Sequence, residues 1–270
     1  MQDFPANPLH KPGYILEWHD EFEAPELDTN KWLPYYLPQW SSRERSAPRY
    51  TCREGMLVMQ ITTDQRPWCP EFDGGVKASC IQTGIFAGSV GSTLGQLHFR
   101  DDLIVREAQK NVRLYTPQYG YFECRAKGVN TSGNHVSLYM IGYEDTPEKC
   151  GEINMFEIFG KDVSSNSTTV GYGIHPWKDP KLTDEFYQDQ LEIDATKFHV
   201  YAHEWTPTHI DFCVDNQKIR RIHQSPDYPM QFMLSIYELP GVEENSVYPK
   251  EFVVDYIRGY QPEHGYESAA

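Results

Sequence analysis

The chain has 270 residues and carries 24 Lys and Arg against 39 Asp and Glu, a formal net charge of −15. That balance opposes approach to phosphate and argues against a nucleic-acid or anionic-membrane partner. No run of about 18 apolar residues exists, so no helix is long enough to cross a bilayer. With 39% hydrophobic and 14% aromatic residues the chain can bury a core, and neither a linker nor a repeat divides it, so one domain over 1–270 is expected.

The N-terminus, Met1-Gln-Asp-Phe-Pro, has no basic or apolar leader, so the chain reads as cytosolic or already trimmed. Tyr36, Trp40 and Trp68 fall in Pro-rich stretches and read as loop aromatics. The six cysteines form no CxxC pair, which removes zinc-ribbon and thioredoxin-type sites. Cys52, Cys69 and Cys80 share a loop-rich region where a bridge is possible, whereas Cys124 and Cys213 read as free core thiols. From 119 onward the dominant period is two. Short aromatic and β-branched runs at 119–125, 135–142, 197–205, 209–214, 230–237 and 252–257 read as strands. Pro207, Asp215-Asn216, Pro226, Pro229 and Pro240-Gly241 separate several of them. A weak helix is expected at about 182–192. Short strands separated by turn signals predict an all-β sandwich or barrel. His199 and His203 share a strand face about 13 Å apart at the strand rise, too far for one metal ion, and read as structural.

The most informative segment is Cys150-Gly-Glu152-Ile-Asn154-Met-Phe-Glu157-Ile158. In a strand, Glu152 and Asn154 share a face and Glu157 points away. One extra residue at Met155-Phe156, a β-bulge, returns Glu157 to that face. Two carboxylates side by side suit glycosidic-bond cleavage. One attacks the anomeric carbon while the other, kept protonated, supplies the leaving oxygen with its proton, and a separation of about 5–5.5 Å favours the retaining route. Like charges this close also push the two pKa values apart. Taken alone, the same spacing fits a solvated sheet face better.

Further blocks bear on that choice. Trp18-His-Asp-Glu-Phe22, Leu27-Asp-Thr-Asn-Lys-Trp32, Gln82-Thr-Gly84, Tyr119-Gly-Tyr-Phe-Glu-Cys-Arg125, Phe198-His-Val-Tyr-Ala-His-Glu-Trp-Thr-Pro207, Val214-Asp215 and Phe252-Val-Val-Asp-Tyr-Ile-Arg258 run in order along nearly the whole chain. With Glu152-Ile-Asn-Met-Phe-Glu157 they resemble glycoside hydrolase family 16, the laminarinase and β-glucanase family. The resemblance implies a concanavalin A-like jelly roll of two antiparallel sheets with a concave substrate cleft. It implies Glu152 as nucleophile and Glu157 as general acid/base of a retaining endo-β-glycanase. The substrate would be a polysaccharide or oligosaccharide, first of all β-1,3- or β-1,3/1,4-glucan. A galactan, a transglycosylase or a weakly active carbohydrate-binding protein are the alternatives, and sulfated galactans fit poorly with so acidic a chain. The protein is expected to act as a monomer, without a catalytic cofactor and, from the resemblance, outside the cell.

Three departures from the family pattern matter. Position 154, normally Asp, is Asn, which can hydrogen-bond a glutamate but cannot ionise. Two Trp platforms before the motif become His135 and Tyr139, and smaller rings alter the sugar subsite. Tyr237-Glu238 stands where small or apolar residues are usual, so Glu238 is a candidate sugar contact. His175 and Trp177 match the family's cleft region, and Trp40 is a candidate loop platform. The resemblance also brings a structural calcium, at Glu21, Gly55 and Asp255.

Overall fold

In the computed structural model of the chain, residues 1–241 and 246–266 are described. The strands in chain order are β1 (Tyr14–Asp20), β2 (Arg49–Arg53), β3 (Met56–Ile61), β4 (Lys77–Gln82), β5 (Gly84–Ile85), β6 (Val112–Arg113), β7 (Gly120–Lys127) and β8 (Asn134–Gly142). They continue with β9 (Glu152–Phe159), β10 (Thr168–His175), β11 (Glu185–Leu191), β12 (His199–Trp205), β13 (Ile210–Val214), β14 (Gln217–Ile222), β15 (Met230–Glu238) and β16 (Lys250–Pro262). All the ladders are antiparallel. One sheet runs β14-β13-β12-β7-β16-β3-β2, with β1 also on β16; the second runs β11-β10-β9-β8-β15-β4. This is the two-sheet sandwich that the period-two runs predict. The segment at 182–192 is not helical. Phe186-Tyr187 and Gln188 to Leu191 pair residue for residue with β10 as β11, because an edge position beside β10 supplies the hydrogen bonds a weakly helical sequence cannot supply itself.

Alternation decides what lies between the sheets. Val136, Leu138 and Met140 of β8, Phe232, Leu234 and Ile236 of β15, and Val170, Tyr172 and Ile174 of β10 point inward. They meet Phe122 and Cys124 of β7, Tyr201 and Trp205 of β12, and Phe252, Val254 and Ile257 of β16. His203 is buried here between the rings of Phe122 and Phe212, where loss of solvation pushes its imidazole down to about 3, so it stays neutral. His199 instead bonds Asp215 and the Asp194 carbonyl.

A second apolar cluster covers the outer face of the six-stranded sheet at its β4 side. Tyr36, Leu37, Trp40, Trp68, Leu97 and Leu103, all from loops, pack on Ala78 and Cys80 of β4, Met233 and Tyr237 of β15, and Tyr139 and Ile141 of β8. All six cysteines are free. Cys124 is in the core, while Cys213 is half-buried on the outer side of the eight-stranded sheet.

Candidate active site

Strand β9 carries the site. Opposite it on β8, Leu138 pairs with Phe156 and Tyr139 with Asn154; opposite it on β10, Gly171 pairs with Glu157 and Gly173 with Asn154. Three residues of β9 therefore span two of β8, and four span three of β10, which is the bulge expected at Met155-Phe156. Both bulge residues, Met155 and Phe156, are driven into the inter-sheet core, one more than expected. That extra inward residue turns Glu157 back beside Glu152 and Asn154. All three side chains line one groove of about 270 Å³. Its floor also includes His135, Ser137 and Tyr139 of β8 and Tyr237 of β15, and its walls include Tyr36, Leu97, Phe99 and Trp177.

Glycines on β10 make room beside the acids. A Cβ on Gly171 would stand 2.7 Å from the Phe186 ring and 3.3 Å from Cβ of Glu157. Gly173 has φ +141°, and a Cβ there would lie 2.3 Å from the Glu185 carbonyl oxygen, so only glycine lets β11 close on β10.

The two carboxyls are treated differently. Glu152 is almost fully buried, and both its oxygens are held: the Asn154 amide donates to Oε1 at 2.6 Å and the Trp177 indole N–H to Oε2 at 2.9 Å. Burial pushes the Glu152 carboxyl up, while the His175 charge and the Trp177 N–H pull it back. Glu157 is pushed up to about 7 by burial and then by the Glu152 charge. His135 offers it no compensating charge. Its Nε2 lies 3.2 Å from Oε1 of Glu157 without forming a hydrogen bond, and burial holds the imidazole down to about 3. One carboxyl is thus clamped by two N–H donors, and its neighbour, raised to about 7, still holds much of its proton near neutral pH.

His135 does not offer a ring face to a sugar. Cross-strand pairing sets it between Phe159 and Tyr237, with ring centroids 4.5 and 5.1 Å away and nearly parallel planes. Only its edge reaches the groove. The Tyr139 hydroxyl lies 2.9 Å from that of Tyr237. Tyr237 and Tyr36, whose rings meet edge to face, are groove residues the expected set did not contain. The parity of β15 against His135 on β8 could have revealed Tyr237. Tyr36, Leu97 and Phe99 come from distant loops and had no such signal.

Two expected contacts are corrected. Trp40 is fully buried: its indole donates to the Gln96 carbonyl at 2.8 Å, and it packs in the loop cluster. Glu238 has the parity of Ile236, not of Tyr237, and so lies on the other face of β15. It pairs there with the Lys77 ammonium at 2.8 Å and accepts from the Tyr248 hydroxyl at 3.0 Å. His175 sits at the rim, stacked on Phe186 and bonded to Asp184 at 2.7 Å; its reach to the acids is electrostatic. Trp177 is 42% exposed and forms the wall beside Glu152.

The residues expected around calcium lie on the eight-stranded sheet and its turns. Arg258 grips Glu21 at 2.8 Å, Arg125 grips Asp255 at 2.7 Å, and Gly55 occupies the β2–β3 turn at φ +68°. Each carboxylate already has a guanidinium partner, so the side chains as arranged do not form the oxygen cage calcium requires.

The groove is closed on one side. The loop cluster fills the outer face over β4, β15 and the end of β8.

A two-sheet sandwich with paired carboxyls in a groove across one face is the architecture of a polysaccharide-cleaving glycosidase. Residues 111–256 match the model of glycosyl hydrolases family 16, and the chain belongs to that family. It is similar to a GlcNAcα1-4Gal-releasing endo-β-galactosidase from Clostridium perfringens, 36% identical with a TM-score of 0.86, over 99% of this chain and 67% of that one. It is also 30% identical over 128 residues to a β-glucanase of Acetivibrio thermocellus, 47% of this chain and 36% of that protein. To a β-glucanase of Bacillus subtilis it is 30% identical over 159 residues, 55% of this chain and 61% of that protein. The chain thus spans about a third of the length of the Acetivibrio relative.

Proposed function

We propose that the protein is a retaining β-glycanase acting on a β-galactoside-containing glycan. In the first step the Glu152 carboxylate attacks the anomeric carbon, the glycosidic C–O bond breaks, and Glu157 gives its proton to the departing oxygen. In the second step Glu157, now the base, takes a proton from water, which attacks the same carbon and releases Glu152. Asn154 and Trp177 aim Glu152 by donating to its two oxygens, and hydrogen bonds to a carboxylate favour its charged form. Asn154 replaces a titrating Asp with a fixed donor, so Glu152 can be held without sharing a proton.

The observation that carries the reading is the asymmetry of the pair: one carboxyl held by two N–H groups, the other raised to about 7 on the same strand face. The choice of β-galactoside over β-glucan is supported by the likeness to the endo-β-galactosidase, which extends over 99% of this chain, whereas the Acetivibrio β-glucanase matches 47% of it.

The test is release of reducing ends from laminarin, lichenan and gastric mucin by the native protein and by the variants Glu152→Gln and Glu157→Gln. Release from mucin alone, abolished in both variants, is expected. Release from laminarin or lichenan would restore the β-glucan reading, and activity unchanged in both variants would remove the assignment of the two acids. Following product lengths over time separates hydrolysis from transglycosylation, in which a sugar replaces water in the second step. A structural calcium remains a proposal only if it displaces Arg258 from Glu21 and Arg125 from Asp255; a Tm that falls with chelator and recovers with added calcium would show it.

A further inference from the structure

Trp177 has a second cavity on its far side. This cavity matches the groove in volume, about 270 Å³, and is lined by Leu94, His98, Glu144, Cys150, Trp177 and Lys178, with Thr93 exposed at its margin. The groove lies on the sheet face; this cavity lies beyond the strand ends, between the loop after β8, the start of β9 and the loop at 93–98. Trp177 lines both spaces, so a group on a sugar beside Glu152 would reach the cavity only by leaving the axis of a glycan lying in the groove.

The partition between the two spaces is held in unusual backbone. Leu97, Glu144 and Trp177 have φ of +49°, +60° and +49°, in a region that costs non-glycine residues of order 1–3 kcal/mol each and that clusters at ligand sites. They form one unit: the Leu97 N–H donates to Oε1 of Glu144 at 2.7 Å, Leu97 and Trp177 face the groove, and Glu144 and Trp177 face the cavity. The polar equipment suits a neutral ligand. The Glu144 carboxyl is buried, and burial pushes it well above its usual range, which favours its neutral form. The Lys178 ammonium is spent on Asp101 at 2.8 Å and His98 at 3.1 Å. Leu94 and the 42%-exposed Trp177 ring add apolar surface.

From this geometry we infer that the second cavity is a subsite for a neutral sugar, an N-acetylhexosamine α-linked to the galactose held beside Glu152. The inference rests on the β-galactoside reading above. The O4 of galactose is axial, so an α1-4 substituent leaves out of the ring's mean plane, as entry past Trp177 requires. Glu144 donates to the acetamido carbonyl, and the methyl group meets the apolar wall.

The experiment compares the 4-nitrophenyl β-glycosides of galactose and of GlcNAcα1-4Gal. Native protein, Thr93→Trp, which fills the cavity from its exposed margin, and Glu144→Gln, which keeps a donor, are assayed by kcat/KM. Binding of both glycosides to Glu157→Gln, with and without Thr93→Trp, is measured by calorimetry. The capped glycoside should be preferred at least tenfold, a preference that Thr93→Trp cuts at least tenfold and Glu144→Gln largely keeps. Equal rates for the two glycosides, or equal slowing of both by Thr93→Trp, would overturn the assignment. If the native protein cleaves neither glycoside, yet Glu157→Gln binds the capped one tenfold tighter and loses this with Thr93→Trp, the subsite stands and the hydrolytic reading falls. Equal binding in that case removes both.

Discussion

Glu157 makes the active site a measurable weakness of the fold. Its carboxyl is 18% exposed and is raised from 4.5 to about 7 by burial and by the Glu152 charge. Between those two values the folded chain holds a proton that the unfolded chain has released. Stability therefore falls as pH rises through this window: the contribution is fully present below 4.5 and lost above about 7. A rise from 4.5 to about 7, at about 1.4 kcal/mol per unit, makes the loss about 3 kcal/mol. Glu157→Gln keeps the shape and removes the titration. Relative to the native protein, the variant should be near neutral at pH 4 and gain about 3 kcal/mol by pH 8, while losing activity. Urea unfolding of both proteins at half-unit steps from pH 4 to 8 measures this directly. A difference between them that stays flat across the series would refute the argument, because a flat difference means that Glu157 titrates alike in the folded and unfolded chains.

Other perturbations probe the same site. Asn154→Asp puts a carboxyl 2.6 Å from Glu152, where joint ionisation would cost about 6 kcal/mol at an effective dielectric near 20. The new Asp takes up a proton at neutral pH and keeps the hydrogen bond. Being neutral where Glu157 titrates, it adds no charge beside that carboxyl, so the alkaline limb of kcat/KM should stay within about half a unit of its native position; a rise of about a unit would mean that the Asp ionises first. Trp177→Phe removes the N–H on Oε2 of Glu152, a bond to a charged group worth roughly 1.5–3 kcal/mol. The acidic limb should rise as Glu152 becomes harder to ionise, with kcat/KM falling by roughly ten- to a hundredfold; an unchanged acidic limb would count against the clamp. The loop cluster that closes the groove over β4 and β15 allows few sugars on that side. Mucin digests should give one short product from the earliest times, and a broad ladder would mean that the groove is open at both ends.

What could be read from the sequence was local. Their β-branched and aromatic content made 135–142 and 230–237 strands, because such side chains suit a pleated, half-buried surface whatever the distant chain does. The odd spacing of Glu152 and Glu157 required a bulge for both acids to share a groove, and the bulge is at Met155-Phe156. Long-range packing decided the rest. Trp40 in a Pro-rich loop looks like a platform, but Gln96, 56 residues away, takes its N–H and the loop cluster buries its ring. Glu238 fell to the wrong face because its fate depends on where β15 begins and on Lys77 across the ladder. His135 kept its place but lost its role as a platform, since Phe159 and Tyr237 occupy both faces of its ring. The groove's closed side and the cavity behind Trp177 are made by loops far apart in the chain, brought together by apolar burial, which carries no periodic signal.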